Sequence, residues 1–240
     1  MMSVSAQGGA LRAAYLATNP AQAVTDPATG ELRGVAIDLA REFARRGGRE
    51  LVLVPAQNPQ AVLDAVRDGK ADIGFVAYNP ERAGPVAFSQ PYLLVQQTFL
   101  VRGDSPIQSV RDIDRSGVRV GARGGDSIAL YLARTLRQAR LVELTDADTR
   151  EAPAMLRDSR LDAFGANRQR LTDIQRATPG VRLLPDDLYG VEQAIIVPLA
   201  QPKMLSTVNS FIDDVRRSGF LQKAIDRSGV AGIAVAPAPR

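Results

Sequence analysis

The sequence predicts an α/β fold in which mainly parallel strands alternate with helices, arranged in two lobes. Short β-type runs alternate with helical periodicity along all 240 residues, which is typical of α/β proteins with parallel sheets. Hydrophobic residues make up 45% of the chain and charged residues 23%, as in an ordinary folded protein. A helix–turn–strand pattern occurs at 66–72 and again at 156–162, which indicates either two similar lobes or a chance likeness between two such units.

The first hundred residues contain three strand patterns and two helix patterns. Apolar residues recur every four positions from 35 to 43, which predicts a helix that ends at Gly47–Gly48. Asn58 and Pro59 predict the start of a second helix, and Gly69 the residue that follows its end. The strands are expected at residues 11–15, 51–54 and 71–77.

The later part of the chain continues the alternation. A turn at 103–106 precedes a strand and the glycine-containing loop at 124–127, and apolar positions 128, 132 and 136 then predict a helix. A late helix over 204–215 ends at Gly219, and the Ala/Pro tail from 234 to 240 is expected to be loose. Strands are expected at residues 97–101, 118–121 and 194–197.

The composition excludes several classes of site. The chain has no cysteine, histidine or tryptophan, so we expect no disulfide, no zinc site of the usual kind and no nucleophile activated by histidine. No cofactor is expected. The formal charge is +4, but the arginines are scattered among acidic residues without interleaved aromatic residues. That distribution is not typical of a nucleic-acid-binding groove.

No stretch of the sequence reaches the roughly 18 apolar residues that would span a bilayer. The first nine residues lack the basic and apolar regions of a signal peptide. The residues alone leave open whether the protein is cytoplasmic or lost a signal peptide before residue 1.

Polar and glycine residues follow the predicted strands at 77–82, 124–127 and 166–168. In open α/β sheets, ligands bind beyond the carboxyl ends of the strands. Arg82 offers a planar fork that can bind a carboxylate in a bidentate manner, although in a chain so rich in arginine a solvated surface residue is the more common case. The 124–127 loop either binds an anionic group or is a plain strand-to-helix turn capped by Asp126 or Ser127.

The sequence offers no credible carboxylate pair for acid–base catalysis. The pairs near turn signals are interpreted as solvated loop acids, and a fourth pair falls on the outer face of the late helix. These four pairs are Asp112/Asp114, Asp146/Asp148, Asp186/Asp187 and Asp213/Asp214.

Several motifs together resemble family 3 extracellular solute-binding proteins, the polar amino-acid type of ABC-transporter receptors. The most specific is the run from Asp72 through Asn79-Pro-Glu-Arg82 to Phe88-Ser-Gln-Pro-Tyr92. Supporting segments lie at residues 30–39, 113–121, 189–190 and 208–219. The resemblance covers roughly residues 10–230.

The resemblance implies a type II periplasmic-binding-protein fold, with a ligand cleft between two lobes that close by hinge motion. We expect lobe I to comprise residues 1–101 and 196–240, and lobe II residues 102–195. The hinge strands are expected near 98–103 and 190–197.

The resemblance also implies a ligand site, with several departures from the family pattern. Arg82 matches the arginine that grips the ligand's α-carboxylate, whereas Asn167 stands where an aspartate usually receives the α-ammonium. An amide pairs poorly with a cation, so an α-amino acid is not the default ligand, although Asp126 or Glu192 could substitute. The expected ligand-binding residues are Asn19, Ala77, Tyr78, Asn79, Arg82, Gly125, Asp126, Ser127, Asn167 and Glu192.

The expected function is therefore to bind a small carboxylate-bearing solute and deliver it to an ABC-transporter membrane permease. The resemblance implies a periplasmic monomer that is not an enzyme. Two alternatives stay open: an enzyme on the same scaffold, similar to the cyclohexadienyl dehydratases, and the ligand-sensing domain of a receptor.

Overall fold

The computed structural model describes residues 9–17, 19–26, 29–79 and 84–239, which form two compact units. Unit 1 contains the chain up to Leu94 and from Glu192 onward, and unit 2 contains Val95–Val191. The lobe boundaries expected from the resemblance, 101/102 and 195/196, lie a few residues further along the chain. The α/β class predicted from the alternating pattern is confirmed.

Unit 1 is built on a mixed sheet. Strands β4 (Leu51–Ala56), β1 (Leu11–Leu16) and β5 (Ile73–Ala77) are parallel neighbours in that order. β12 (Tyr189–Pro198) pairs antiparallel with β5, and β6 (Val86–Phe88) pairs antiparallel with β12. Two very short strands, β2 (Val24–Thr25) and β3 (Leu32–Arg33), form a separate ribbon.

Four α-helices lie in the described part of unit 1. They are α1 (Val35–Arg46), α2 (Pro59–Arg67), α6 (Pro202–Arg217) and α7 (Phe220–Ser228). The predicted local chemistry of α2 is confirmed: the Asn58 side chain accepts a hydrogen bond from the Ala61 N–H, Pro59 occupies the first turn, and Gly69 follows with a positive φ. α2 packs on the sheet through a core that includes Val62, Val66 and Ile196.

Unit 2 repeats the arrangement with strands and helices of its own. Strands β9 (Arg140–Leu144), β8 (Arg119–Arg123) and β10 (Ala163–Asn167) are parallel neighbours. β7 (Leu93–Arg102) pairs antiparallel with both β10 and β11 (Val181–Leu183). The helices are α3 (Ser127–Thr135), α4 (Asp146–Arg157) and α5 (Arg168–Ala177). Strands β7 and β12 carry the chain from one unit to the other.

The predicted helix–turn–strand repeat is present in both units. In unit 1, Asp72 follows α2 and accepts hydrogen bonds from the backbone N–H (2.8 Å) and guanidinium (2.6 Å) of Arg12 in β1. In unit 2, Asp162 follows α4 and accepts from the backbone N–H (2.8 Å) and Nε (2.9 Å) of Arg119 in β8. Each aspartate therefore joins the start of one strand to the neighbouring strand.

The prediction of a loose tail was wrong for its first residues. The final strand, β13 (Ile233–Val235), pairs with β7, and the N–H of Ala236 donates to the carbonyl of Tyr92 at 3.1 Å. Ala236 is fully buried. The strand directly precedes the alternating alanine–proline segment, and its formation depends on a distant partner in the sequence.

Candidate functional site

The carboxyl edge of the unit 1 sheet carries three of the expected residue groups. After β1, Asn19 forms a turn: its carbonyl accepts from the Gln22 N–H at 2.8 Å and its Oδ1 from the Ala21 N–H at 3.0 Å. Ala77 ends β5 opposite Gln193 of β12. Asn19 and Ala77 therefore lie at the ends of adjacent parallel strands, as the sequence predicts.

Tyr78 and Asn79 continue this edge. The Tyr78 N–H donates to the Glu192 carbonyl at 2.8 Å, which places the start of the loop against β12. The Tyr78 ring meets Phe88 edge-on at 5.3 Å and is 40% exposed, so part of its face is available to a ligand. Asn79 is half-buried, and Arg82 lies outside the described residues.

Glu192 belongs to the same edge through its backbone rather than through its side chain. Its carbonyl accepts from Tyr78, while the residue as a whole is exposed. The structure therefore brings Glu192 beside the Ala77–Asn79 segment.

Two buried glutamines at this edge were missed in the sequence. Gln22 is fully buried; its Oε1 accepts from the Leu16 N–H at 2.9 Å and its Nε2 donates to Gln193 Oε1 at 3.4 Å. The pair ties the loop after β1 to β12. Gly34 is required beside it, because φ is +138° there and a Cβ would collide with the Gln22 carbonyl. Gly34, within the 30–39 segment, was the signal that the sequence offered for this close backbone contact.

In unit 2, the loop after β8 has the form of a strand-to-helix turn. Gly125 adopts a φ of +80°, which glycine tolerates best. Asp126 occupies the N-cap position of α3, but its side chain makes no capping hydrogen bond and instead lies 3.2 Å from Arg123 Nη1. Ser127 begins the helix and is exposed. The turn leaves the hydroxyl and the first backbone N–H groups at the carboxyl edge of the sheet.

Asn167 ends β10 and caps α5. Its Oδ1 accepts from the Arg170 N–H at 2.8 Å. Because β8 and β10 are adjacent and parallel, Asn167 lies at the same sheet edge as the 124–127 loop. The structure therefore brings together the expected residues of unit 2.

An aromatic pair beside this loop was also missed. Tyr131 of α3 stacks on Tyr189 at 4.3 Å with an interplanar angle of 19°. The Tyr189 hydroxyl is buried near Ser127 and, among the described residues, makes no hydrogen bond of ordinary geometry. Burial raises the pKa of Tyr189, so its hydroxyl is protonated at neutral pH and can donate.

The interpretation of the acidic pairs as solvated loop acids was wrong for several members. Asp112 and Asp148 each complete a capping box. Asp186 accepts from the Ser109 hydroxyl at 2.7 Å and the Val110 N–H at 3.1 Å. The Asp114 carboxylate accepts hydrogen bonds from the backbone N–H groups of residues 137–139. These carboxylates stabilise backbone turns and helix starts.

A separate cavity of about 870 Å³ lies in unit 1, away from the carboxyl edge. Its lining includes Leu11 at the amino end of β1, Phe43, Arg46, Met204 and Phe211. None of the expected ligand-binding residues lines it. Within the described ranges, no cluster of acidic side chains could hold a metal ion, and no helix is both long and apolar enough to cross a membrane.

Comparison with known proteins identifies the family. The profile of "Bacterial extracellular solute-binding proteins, family 3" matches residues 11–229, so the chain belongs to that family. This confirms the resemblance inferred from the motifs.

Curated relatives include both binding proteins and enzymes. A glutamine-binding protein of Geobacillus stearothermophilus is 25% identical over 177 residues, which is 70% of this chain and 66% of that protein. Membrane-bound lytic murein transglycosylase F of Pseudomonas fluorescens is 27% identical over 81% of this chain but only 41% of its own length. A cyclohexadienyl dehydratase of Pseudomonas aeruginosa is 29% identical over 47% of this chain and 43% of its own. The chain thus covers less than two thirds of each relative.

Solved structures share the fold. An ancestral arginine-binding protein bound to glutamine superposes with a TM-score of 0.67 at 24% identity, covering 93% of this chain and 99% of that one. An arginine transport-system periplasmic binding protein of Legionella pneumophila gives 0.69 at 18% identity, covering 92% and 100%. These likenesses confirm the type II periplasmic-binding-protein fold.

Proposed function

We propose that this chain is the solute-binding component of an amino-acid-type ABC transporter. It binds a small carboxylate-bearing solute with residues of both units and delivers the solute to a membrane permease, acting as a monomer in the periplasm. The observation that carries the proposal is the family match over residues 11–229. The polar residues at the carboxyl edge of each sheet supply a site of the type that α/β sheets offer.

Arg82 is proposed as the anchor of the ligand's carboxylate. A guanidinium binds a carboxylate through two parallel hydrogen bonds, which fixes the orientation as well as the charge of the ligand. Tyr78, three-fifths buried against Phe88, is proposed to contribute its exposed ring surface to the same site. Asn19, Ala77, Asn79 and Glu192 complete the proposed unit 1 contribution, and Gly125, Asp126, Ser127 and Asn167 that of unit 2.

Calorimetry with a panel of amino acids and small organic acids tests this proposal. We expect one or more carboxylates to bind, and Arg82→Ala to weaken that binding by at least about a hundredfold, as expected when one partner of a charge-assisted pair is removed. Arg176→Ala is the matched control, because that arginine is highly exposed at the end of α5. Tight binding of an ordinary amino acid that Arg82→Ala leaves unchanged would contradict the proposal.

A second candidate function is an enzyme on the same scaffold. The similarity to a cyclohexadienyl dehydratase, 29% identity over 117 residues, favours it. Such an enzyme needs a general acid, and Glu192 or Asp126 would have to supply it. Turnover of prephenate or arogenate by the purified protein, lost in Glu192→Gln or Asp126→Asn, would support this candidate over simple binding.

A further inference from the structure

The cavity of about 870 Å³ in unit 1 is lined entirely by described residues of that unit. Its walls come from the amino end of β1, the last turn of α1 with the loop after it, and the first part of α6 with the two residues before it. A volume of roughly 300–1,000 Å³ is typical of small-molecule sites. The cavity therefore has the size of a ligand site, and its lining shares no residue with the proposed solute site.

The innermost lining of the cavity is apolar. Leu11 is fully buried and Phe211 is 5% exposed, and the ring of Phe43 meets that of Phe211 edge-on with their centroids 5.0 Å apart. Half-buried Met204 continues the apolar surface to the first turn of α6. A methionine side chain adapts its shape to its neighbours, so this lining suits a flexible hydrocarbon chain.

The charged groups that line the cavity are mainly cationic. Three cations accompany one carboxylate: Arg46, Arg49 and Lys203 beside Asp214. Arg46 binds Glu42 at 2.8 Å and lies 3.6 Å from Asp214, and Arg49 lies 3.3 Å from Asp72. Asp214 is paired in addition with Arg217. These ion pairs offset the charges of the two arginines, and the lysine is left as the cation that can attract an anion.

Lys203 is exposed and forms no ion pair with the part of the chain that the structure describes. It occupies the second position of α6, a helix of 16 residues whose first turn contains no acidic residue. The preceding residue at the N-cap, Gln201, makes no side-chain capping hydrogen bond. The partial positive charge of the helix start therefore adds to the charge of Lys203, directly beside the apolar side chain of Met204.

We infer that this cavity is a second ligand site, separate from the solute site, and that it binds an amphipathic monoanion in which a flexible hydrocarbon chain ends in a carboxylate. The hydrocarbon chain packs against Leu11, Phe43, Met204 and Phe211, and the carboxylate lies beside Lys203. A second copy of the protein fits less well, because a twofold contact would bring the same cation-rich face against itself. The inference goes beyond the proposed function and does not depend on it.

Calorimetry with octanoate and 1-octanol tests the inference, because the two have equal chain lengths and differ in the charge of the head group. We expect octanoate to bind the wild-type protein at least about threefold more tightly than 1-octanol, as for one partly exposed ion pair. Lys203→Met keeps an unbranched side chain without its charge, so it should remove this preference. Lys223→Met is the matched control at an exposed position of α7 in the same unit, and it should leave the preference unchanged.

Met204→Glu tests where the hydrocarbon chain binds. Glutamate at the third position of a helix favours the helix start, so we expect the variant to fold. Its carboxylate in the apolar lining should weaken octanoate binding by at least about tenfold. Octanoate binding that Met204→Glu leaves unchanged, or that the tightest-binding panel solute displaces, would place the ligand outside this cavity and overturn the inference.

Two further outcomes would also overturn it. Equal affinity of the wild-type protein for octanoate and 1-octanol would mean that Lys203 does not select an anion. Self-association of the wild-type protein in sedimentation, abolished by Met204→Glu, would assign the cavity to a second copy of the chain instead.

Discussion

Asp72 shows how a single carboxylate organises a strand start. Partial burial by itself raises the pKa of Asp72, but the hydrogen bonds from Arg12 and the charges of Arg12 and Arg49 outweigh it, so the pKa lies below its ordinary value. Asp162 behaves in the same way with Arg119 as its main partner. A lowered pKa in the folded state means that ionisation of each aspartate stabilises the fold.

We predict that Asp72→Asn lowers the free energy of unfolding by about 1–2 kcal/mol at pH 7, because charge-assisted hydrogen bonds are weakened in a partly exposed setting. The stabilisation is present above the unfolded-state pKa of about 4 and is lost as the pH falls through the lower folded-state pKa. Urea denaturation at pH 7 and pH 3 should therefore show a difference between variant and wild type that shrinks at pH 3.

Asp104→Asn is the control for this pair of measurements, because the Asp104 side chain is 75% exposed beside Arg102. It should change the unfolding free energy little at either pH. If Asp72→Asn lowers the free energy of unfolding equally at pH 7 and pH 3, the charge of Asp72 is not the source of the stabilisation.

Residue roles that depend on neighbours in the chain could be predicted from the sequence. Roles that depend on tertiary partners could not. Asn58 and Pro59 were predicted correctly because a cap needs only its neighbours in the chain. The burial of Gln22 and Gln193 was missed because glutamine is usually exposed, and only the assembled sheet edge places the two amides together. The role of Arg82 stays a prediction, since it lies outside the described residues.

At the scale of the element, β4 shows how an edge strand avoids further pairing. The carbonyls of Glu50 and Ala56 both accept from the neighbouring strand β1, so the even-numbered residues direct their hydrogen-bonding groups inward. Pro55 is one of the odd-numbered residues, whose backbone groups point away from β1. Because proline has no N–H, it offers no donor to an added strand at this position. Its position explains how a proline occurs inside a strand of six residues.

The helices differ in how strongly their local sequence patterns predict them. α2 and α6 have clear apolar periodicity and end signals, and both were predicted. α5 was not assigned, because Leu171 is its single buried residue among mostly polar neighbours. A helix of this kind is stabilised by its contacts with β10 and β11, which no local pattern encodes.

For α2 we predict that Asn58→Ala lowers the free energy of unfolding by about 1 kcal/mol, because the Ala61 N–H loses its acceptor. Asn58→Asp should retain most of the stability, since aspartate caps equally well. Both variants can be compared by urea denaturation at neutral pH. Equal losses in the two variants would mean that the side-chain cap does not stabilise this helix.

At the scale of the whole molecule, the fold follows from the repeated helix–turn–strand unit. At the carboxyl ends of adjacent parallel strands, unit 1 places Tyr78 and Asn79 after β5, and unit 2 places the 124–127 loop after β8 and Asn167 at the end of β10. The sequence predicted the class, the repeat and about half of the described strands, because these depend on periodicity. The identity of the ligand depends on the charge and the donor or acceptor character of the side chains at these edges. Tertiary contacts determine that character, and periodicity does not encode them.

The central claim is that one solute contacts both units at these edges. Hydrogen exchange with and without a saturating concentration of the tightest-binding panel solute tests it most directly, because ligand contact lowers local opening. We predict slower exchange, by at least about tenfold, in residues 77–82 and in residues 124–127 and 167–170 of the same sample. Protection confined to one unit, or centred on the cavity lined by Phe43 and Phe211, would contradict the account.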